Sequence, residues 1–521
     1  MTQASPAAPE KLGRDVFVVA GVVVLGAIMS ILDVTVVSVA QPTFINDFGT
    51  TPAGAAWSMT GYTLALAAVI PIASWAVSRF GTKKVYMTSL VLFVIGSILC
   101  AMATSIGTLV AFRMIQGVGG GLLMPVGMMI MTRAAGPERV GSVMAVLGIP
   151  MLLGPIAGPI LGGWLIEIAS WHWVFLINIP IGIVAVIYAW FALKDDAEKT
   201  PASIDFVGLL LLSPGLALFL FGVSSSAEHK TFNNTGVYIP MIIGGLLIIG
   251  FVFHALRRKN PLLDLRLFKN RTLAISVITM VTFMVAFFGA SLLYPQYFIT
   301  VRGESTLIAG LLLAPQGLGA MLTMPIAGRM TDKIGPGKFV LGGLVLLLIG
   351  VSVFTQLGPD TSYWLLCGAL FVQGLGMGMT MMPIMSSALA SLRGSQVPDG
   401  STLVNVIQQT SSSIGTAVIT VIYTGMVTAA AGLAQLYNTM PDKLPEEFTS
   451  LPQQVQDAEI AKGLADASSA FGNTFIVAVV LVALTFIPAF FLPRKRIAAA
   501  LPEEVMLEGT DGKPNPPVIM H

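Results

Sequence analysis

Apolar residues run in long blocks along this chain, separated by short polar stretches. A helix that crosses a bilayer needs about 20 apolar residues. Windows of that length fall at 16–40, 55–78, 85–104, 105–131, 141–168, 173–193 and 205–225, then 236–256, 272–299, 306–330, 338–357, 362–391, 401–430 and 470–493. The pattern predicts an all-α polytopic membrane protein with 14 transmembrane helices. Residues 1–15 and 497–521 read as polar tails, the latter disordered. Residues 431–469 form the one long polar interruption on the opposite side, with Pro441, Pro445, Pro452 and several acids. That stretch reads as a solvated loop, with an ordered hairpin or a partner-binding element as the alternatives.

The blocks repeat. Ser74–Lys84 (SWAVSRFGTKK) aligns without gaps on Gly328–Lys338 (GRMTDKIGPGK), an offset of 254 residues. Gln116-Gly117 and Gln373-Gly374, each followed by further glycines, repeat at 257. Both offsets span eight expected helices, whereas two plain six-helix halves would give six. The expected division is therefore an N-terminal six-helix bundle at 16–200, two inserted linker helices at 201–260 and a C-terminal six-helix bundle at 261–496. Internal repeats of this kind mark secondary transporters, whose substrate site lies between the halves.

Composition agrees with a membrane chain: of 521 residues, 55% are hydrophobic and 10% charged, and the mean hydropathy is +0.84. Soluble domains carry about 25% charged residues. Of the 28 Lys and Arg, 23 fall on the side of both termini, four on the other, and Arg113 inside a span. This positive-inside bias places both termini in the cytoplasm of a cell inner (plasma) membrane protein. The net charge of +2 carries no nucleic-acid signal. Cys100 and Cys367 read as free thiols within spans, with no metal spacing. The Gly337-Lys338 and Gly512-Lys513 pairs continue with Phe339 and Pro514, so no phosphate-binding loop is present and no enzyme is expected.

Asp33 is the only acid in the first span and Arg113 the only base deep in any span. A buried carboxylate costs roughly 2.5–3.5 kcal/mol on insertion scales. Counting residues from the outer helix ends puts Asp33 roughly 10 Å deep and Arg113 roughly 12 Å deep, so contact is expected. The C-terminal half carries Leu370 and Phe-Phe-Gly-Ala at the matching positions, which favours a proton-coupling role over a static ion pair. In the fifth span Gly154, Gly158 and Gly162 recur every fourth residue beside Pro155 and Pro159, with Gly163 following. This reads as a closely packed gating helix, or as plain close packing. Ser78, Arg79, Gly81, Lys83 and Lys84, with Gly328, Asp332, Lys333 and Gly335 of the repeat, read as a cytoplasmic latch. Met128, Tyr294, Gln316, Asn405 and Gln409 are candidates for the substrate cavity, with helix-to-helix packing as the alternative. Trp171 and Trp173 read as interfacial.

These segments together resemble the fourteen-helix drug:proton antiporters of the major facilitator superfamily, the EmrB/QacA-like branch. LDVTVVSVAQP at Leu32–Pro42 is similar to that branch's first-helix signature, RMIQGVGGG at Arg113–Gly121 to the fourth-helix motif, and GPIAGPILGG at Gly154–Gly163 to the antiporter motif. The 74–84 loop is similar to the superfamily loop motif, but Ser74 and Ser78 replace its Gly and Asp; the second copy keeps both, as Gly328 and Asp332. The resemblance implies a major facilitator fold and alternating-access efflux of lipophilic, cationic or amphipathic compounds. It needs no cofactor, and the proton gradient is the energy source. Expected partners are a small-molecule substrate and the bilayer, without nucleic acid. A periplasmic accessory protein stays open, and a monomer is expected. Rival readings are a dedicated exporter of a native lipid or metabolite, a proton symporter and a non-transporting membrane scaffold.

Overall fold

The computed structural model describes residues 14–136, 139–195, 203–229, 231–439 and 444–495; apart from Arg14 and Asp15, the expected tails lie outside the described residues. The chain begins with α1 (Arg14–Asp47), α2 (Pro52–Val69), α3 (Ala73–Phe80), α4 (Thr82–Ala101), α5 (Ile106–Ala135), α6 (Val140–Ile168), α7 (His172–Leu176) and α8 (Asn178–Ala192). The inserted hairpin is α9 (Phe206–His229) and α10 (Thr235–Arg257). The rest comprises α11 (Arg271–Thr300), α12 (Thr306–Leu312), α13 (Ala314–Ile334), α14 (Gly337–Val353), α15 (Tyr363–Ala390), α16 (Val397–Met426), α17 (Ala429–Thr439), α18 (Glu446–Thr449) and α19 (Gln453–Ala489).

Local sequence sets the breaks. The short polar gap before α5 works because Ser105 and Thr108 cap one another reciprocally. Asn270 caps α11 by accepting from the Thr272 and Leu273 N–H groups. The repeat is visible in the backbone: Gly81 and Gly335 end their helices at φ 90° and 89°, where a side chain would be strained. Twelve described stretches are long and apolar enough to cross a membrane, thirteen if the bent pair ending in α17 counts as one. α6 is a continuous helix of 29 residues through both prolines.

In the first half α1 lies along α6, and α5 packs between α2 and α4; in the second, α15 packs between α13 and α14, and α11 against α16 and α19. The halves meet where α6 crosses α13 and α15, and where α16 crosses α3 and α5. α9 rests on α2 and α16, with Trp57 stacked on Phe221 at 5.5 Å. α10 packs mainly on α9 and turns apolar side chains such as Leu246, Ile249 and Phe253 outward.

Two features add to or differ from expectation. The 431–469 stretch is largely helical in its described part: α17 bends 110° from α16 and packs on α19, which starts at Gln453 rather than at residue 470. Small residues make the contact, since a Cβ on Gly463 would lie 2.3 Å from the Ala430 carbonyl oxygen. Trp171 is 3% exposed, edge-on to Phe44 and stacked on His172, and only Trp173 faces outward. The tryptophan at the start of α7 completes an aromatic core with α1 instead of anchoring at an interface.

Candidate functional site

Asp33 and Arg113 are in contact, and both are buried (1% and 0% exposed). Arg113 Nη1 donates to Asp33 Oδ2 at 2.5 Å. The other carboxylate oxygen, Oδ1, accepts from Gln116 Nε2 at 2.8 Å and from Asn178 Nδ2 at 3.1 Å. Ser97 joins the cluster, accepting from both amides. Arg113 and Gln116 share a face of α5 because they are three residues apart. Gly96 lets α4 approach: a Cβ there would lie 2.5 Å from the Gln116 Cα. Arg113 Nε donates to the Ser58 carbonyl at 3.1 Å, and the guanidinium carbon sits 4.2 Å from the centre of the Tyr62 ring. Nη2 has no hydrogen-bond partner among the described residues. It lies on the guanidinium that Tyr62 and Phe175 cover, where ring faces offer electrostatic compensation. Donors from α5 and α8 thus meet a carboxylate on α1, with α2 and α4 holding the donors in turn. Sequence reasoning noticed Gln116 only as part of the repeat and missed Asn178, a lone amide at the start of an apolar run.

The equivalent place in the second half is neutral. Gln373 Nε2 donates to the Tyr294 hydroxyl at 2.5 Å, and Gln316 Nε2 donates to Gln373 Oε1 at 3.0 Å. Leu370, at the position of Arg113, is fully buried. Two substrate candidates, Tyr294 and Gln316, therefore meet through Gln373. Two others meet across the halves: Asn405 Nδ2 of α16 points to Met128 Sδ of α5 at 3.0 Å. Gln409 is half-buried one turn further along α16.

The glycine face of α6 is packed on α1. A Cβ on Gly154 would lie 2.1 Å from Ile31, one on Gly158 2.1 Å from Thr35, and one on Gly162 3.1 Å from Val36. Gly163 has nothing within 4 Å and is not part of that face. The side chains of Pro155 and Pro159 lie outside the described residues.

The repeated loops lie at the end of the bundle that carries most of the Lys and Arg. In the second copy Asp332 crosses between halves and caps α6. Its carboxylate accepts from Gly141 N–H at 2.9 Å, Ser142 N–H at 3.0 Å and Ser142 Oγ at 2.8 Å. Gly328 permits this, because a Cβ there would lie 2.5 Å from the Gly141 carbonyl oxygen. Gly335 lies against the Lys495 backbone, and Lys333 is exposed. In the first copy the cross-half bond is made by Ser74, which donates to Asp399 near the start of α16. Ser78 is half-buried, Arg79 and Lys84 are exposed, and Lys83 lies over the Trp190 ring at 5.4 Å. In this copy the acid of the cross-half bond lies on α16 and not on the repeated segment.

A helical bundle of two repeated halves is an arrangement found in many secondary transporters. The sequence profile of the Major Facilitator Superfamily matches residues 23–416. The chain is 46% identical over 94% of its length to the multidrug resistance protein B homolog of Mycobacterium tuberculosis (strain ATCC 25618 / H37Rv), covering 92% of that protein. It is 30% identical over 76% of its length to the multidrug export protein EmrB of Haemophilus influenzae (strain ATCC 51907 / DSM 11121 / KW20 / Rd), covering 78% of it. Among solved structures, the human organic anion transporter MFSD10 (TETRAN) superposes with a TM-score of 0.58 at 16% identity, over 90% of this chain and 99% of that one. The proton:xylose symporter XylE gives 0.55 at 15%, over 90% and 95%. The chain belongs to the Major Facilitator Superfamily, in its drug:proton antiporter family.

Proposed function

We propose that this protein is a multi-pass efflux transporter of the plasma membrane that exchanges protons for lipophilic, cationic or amphipathic compounds. The basic end then faces the cytoplasm, and α6, added to the twelve stretches and the bent pair, brings the spans to fourteen. The relatives named for multidrug resistance and export support the substrate class. The observation that carries the coupling is the buried Asp33, held by three donors, against a neutral network at the equivalent place. Protonation of Asp33 removes the negative charge facing Arg113 and turns an acceptor oxygen into a donor. Gln116 and Asn178 must then reorient, which loosens α4, α5 and α8 around α1. That change biases the halves between their two arrangements, and deprotonation on the other side resets them. No cofactor takes part.

The test uses proteoliposomes with an imposed pH gradient and a panel of lipophilic cationic dyes, neutral drugs and lipids. Wild type is expected to move several dyes uphill. Asp33→Asn keeps the shape and removes titration, so uphill movement should fall to background while downhill exchange persists. Undiminished uphill transport by the variant would end the coupling scheme. Movement of one lipid alone would replace drug efflux by the dedicated-exporter reading.

A further inference from the structure

The segment that leads from α10 into α11 and the turn between α15 and α16 together enclose a cavity of about 470 Å³ at the basic end. Three cations line it: Arg266, Lys269 and Arg393. Asn270 and Gln396 add amide groups, and among the described residues the lining includes no acid. Asp264, the acid nearest Arg266 in sequence, directs one carboxylate oxygen to its own backbone, accepting from the Arg266 N–H at 3.0 Å. The buried Leu267 and Leu392 give the cavity an apolar edge.

The walls are fixed to each other. Asn270 caps α11 with its oxygen and donates its amide N–H to the Ser391 carbonyl at 2.8 Å, 121 residues further on. Arg266 Nη2 donates to the Arg258 carbonyl at 2.7 Å, which holds the guanidinium in place. The positive-inside bias explains why cations occur in such loops. It does not explain why three of them, from segments so distant in sequence, surround one polar cavity.

We propose that this cavity binds an anionic phosphate group, carried on a lipid headgroup or free in solution. Guanidinium forks match phosphate oxygens, and lysine adds a mobile point charge. Basic pockets between helices at the cytoplasmic side of a membrane protein suit acidic headgroups. Such a ligand would tie the inserted hairpin's exit to the α15–α16 turn, and so to the start of α16. The site is separate from the Asp33 cluster and stands or falls independently of transport.

The experiment is native mass spectrometry of the full-length detergent-purified protein. The probes are phosphatidylglycerol, phosphatidylcholine and inorganic phosphate. Wild type should retain phosphatidylglycerol over phosphatidylcholine. In Lys269→Gln/Arg393→Gln that retention should weaken by about a hundredfold, the loss of two charge-assisted hydrogen bonds at about tenfold each. If the double variant unfolds, the exposed Lys269 carries the test alone: Lys269→Gln should weaken binding and Lys269→Arg restore it. Displacement by inorganic phosphate would show that free phosphate also enters; lipid retention without displacement would assign the site to headgroups. Equal retention of both lipids, or phosphatidylglycerol binding unchanged by every variant with no phosphate effect, would overturn the proposal.

Discussion

Three donors on three side chains share the Asp33 carboxylate and orient it between α5 and α8. Asn178→Leu removes one of them and unties α8 from the acid. Uphill transport should then fall by about tenfold, the worth of one charge-assisted hydrogen bond. The measurement is initial efflux rate under one imposed pH gradient, with Ser97→Ala as a milder companion, since Ser97 touches the amides and not the acid. An unchanged rate in Asn178→Leu would show that this hydrogen bond takes no part in coupling. Asp33 and Arg113 were legible in the sequence because each is the wrong polarity for its block. Asn178 was not, because one amide near a helix end looks like a cap, and its partner lies 145 residues away.

At the scale of elements, each copy of the repeat makes a hydrogen-bonded link between the halves, and each link uses an acid. The second copy uses its own acid, Asp332, on the N-terminus of α6, where free N–H groups and the helix dipole favour negative charge. In the first copy Ser74 of α3 is the donor, and the acid, Asp399, sits on α16. Repeat alignment exposed Ser78 in place of an acid but not the bond to Asp399, which is 325 residues from Ser74. Ser74→Asp places a second carboxylate against Asp399, and uphill transport should drop about fivefold, roughly 1 kcal/mol of coupling. Adding Asp399→Ser should restore it. A double variant no better than the single would show that the two positions are not coupled. The α1–α6 seam gives a second prediction. Gly158→Val would place atoms on Thr35 and should lower stability by about 1–3 kcal/mol, read as a fall in thermal midpoint. Gly163→Ala, with open space around it, should melt like wild type. The four-residue spacing made that face legible; only the packing shows that Gly163 does not share it.

Across the whole molecule, blocks, repeat and charge bias were enough to read a two-half bundle with an insertion. They could not say where the insertion docks, because α9 and α10 are apolar almost all round and carry no periodic face that names a neighbour. The contacts of Trp57 with Phe221, and of α9 with α16, set that position. A single acid then closes the hairpin. Asp205, 2% exposed just before α9, accepts from His254 Nε2 at 2.9 Å and from the N–H groups of Gly208 and Leu262, each at 3.1 Å; Arg258 lies 3.4 Å away. The start of α9, the end of α10 and the segment toward α11 are joined through this carboxylate. Burial pushes its pKa up, but the hydrogen bonds from His254 and Gly208 and the nearby Arg258 outweigh it, and the group is held below the ordinary aspartate range. A lowered folded-state pKa means that the stabilisation is fully present above the unfolded value, about 4, and is lost as pH falls through the folded one. Asp205→Asn should therefore melt at a lower temperature than wild type from neutral pH down to about pH 5. The gap should begin to close below about pH 4, as the acid of the unfolded chain takes up its proton, and be gone once the pH has fallen through the lower folded-state value. Thermal unfolding of both proteins across that range is the check, and a gap that persists at the acid end would place the contribution of Asp205 in its shape and not in its charge.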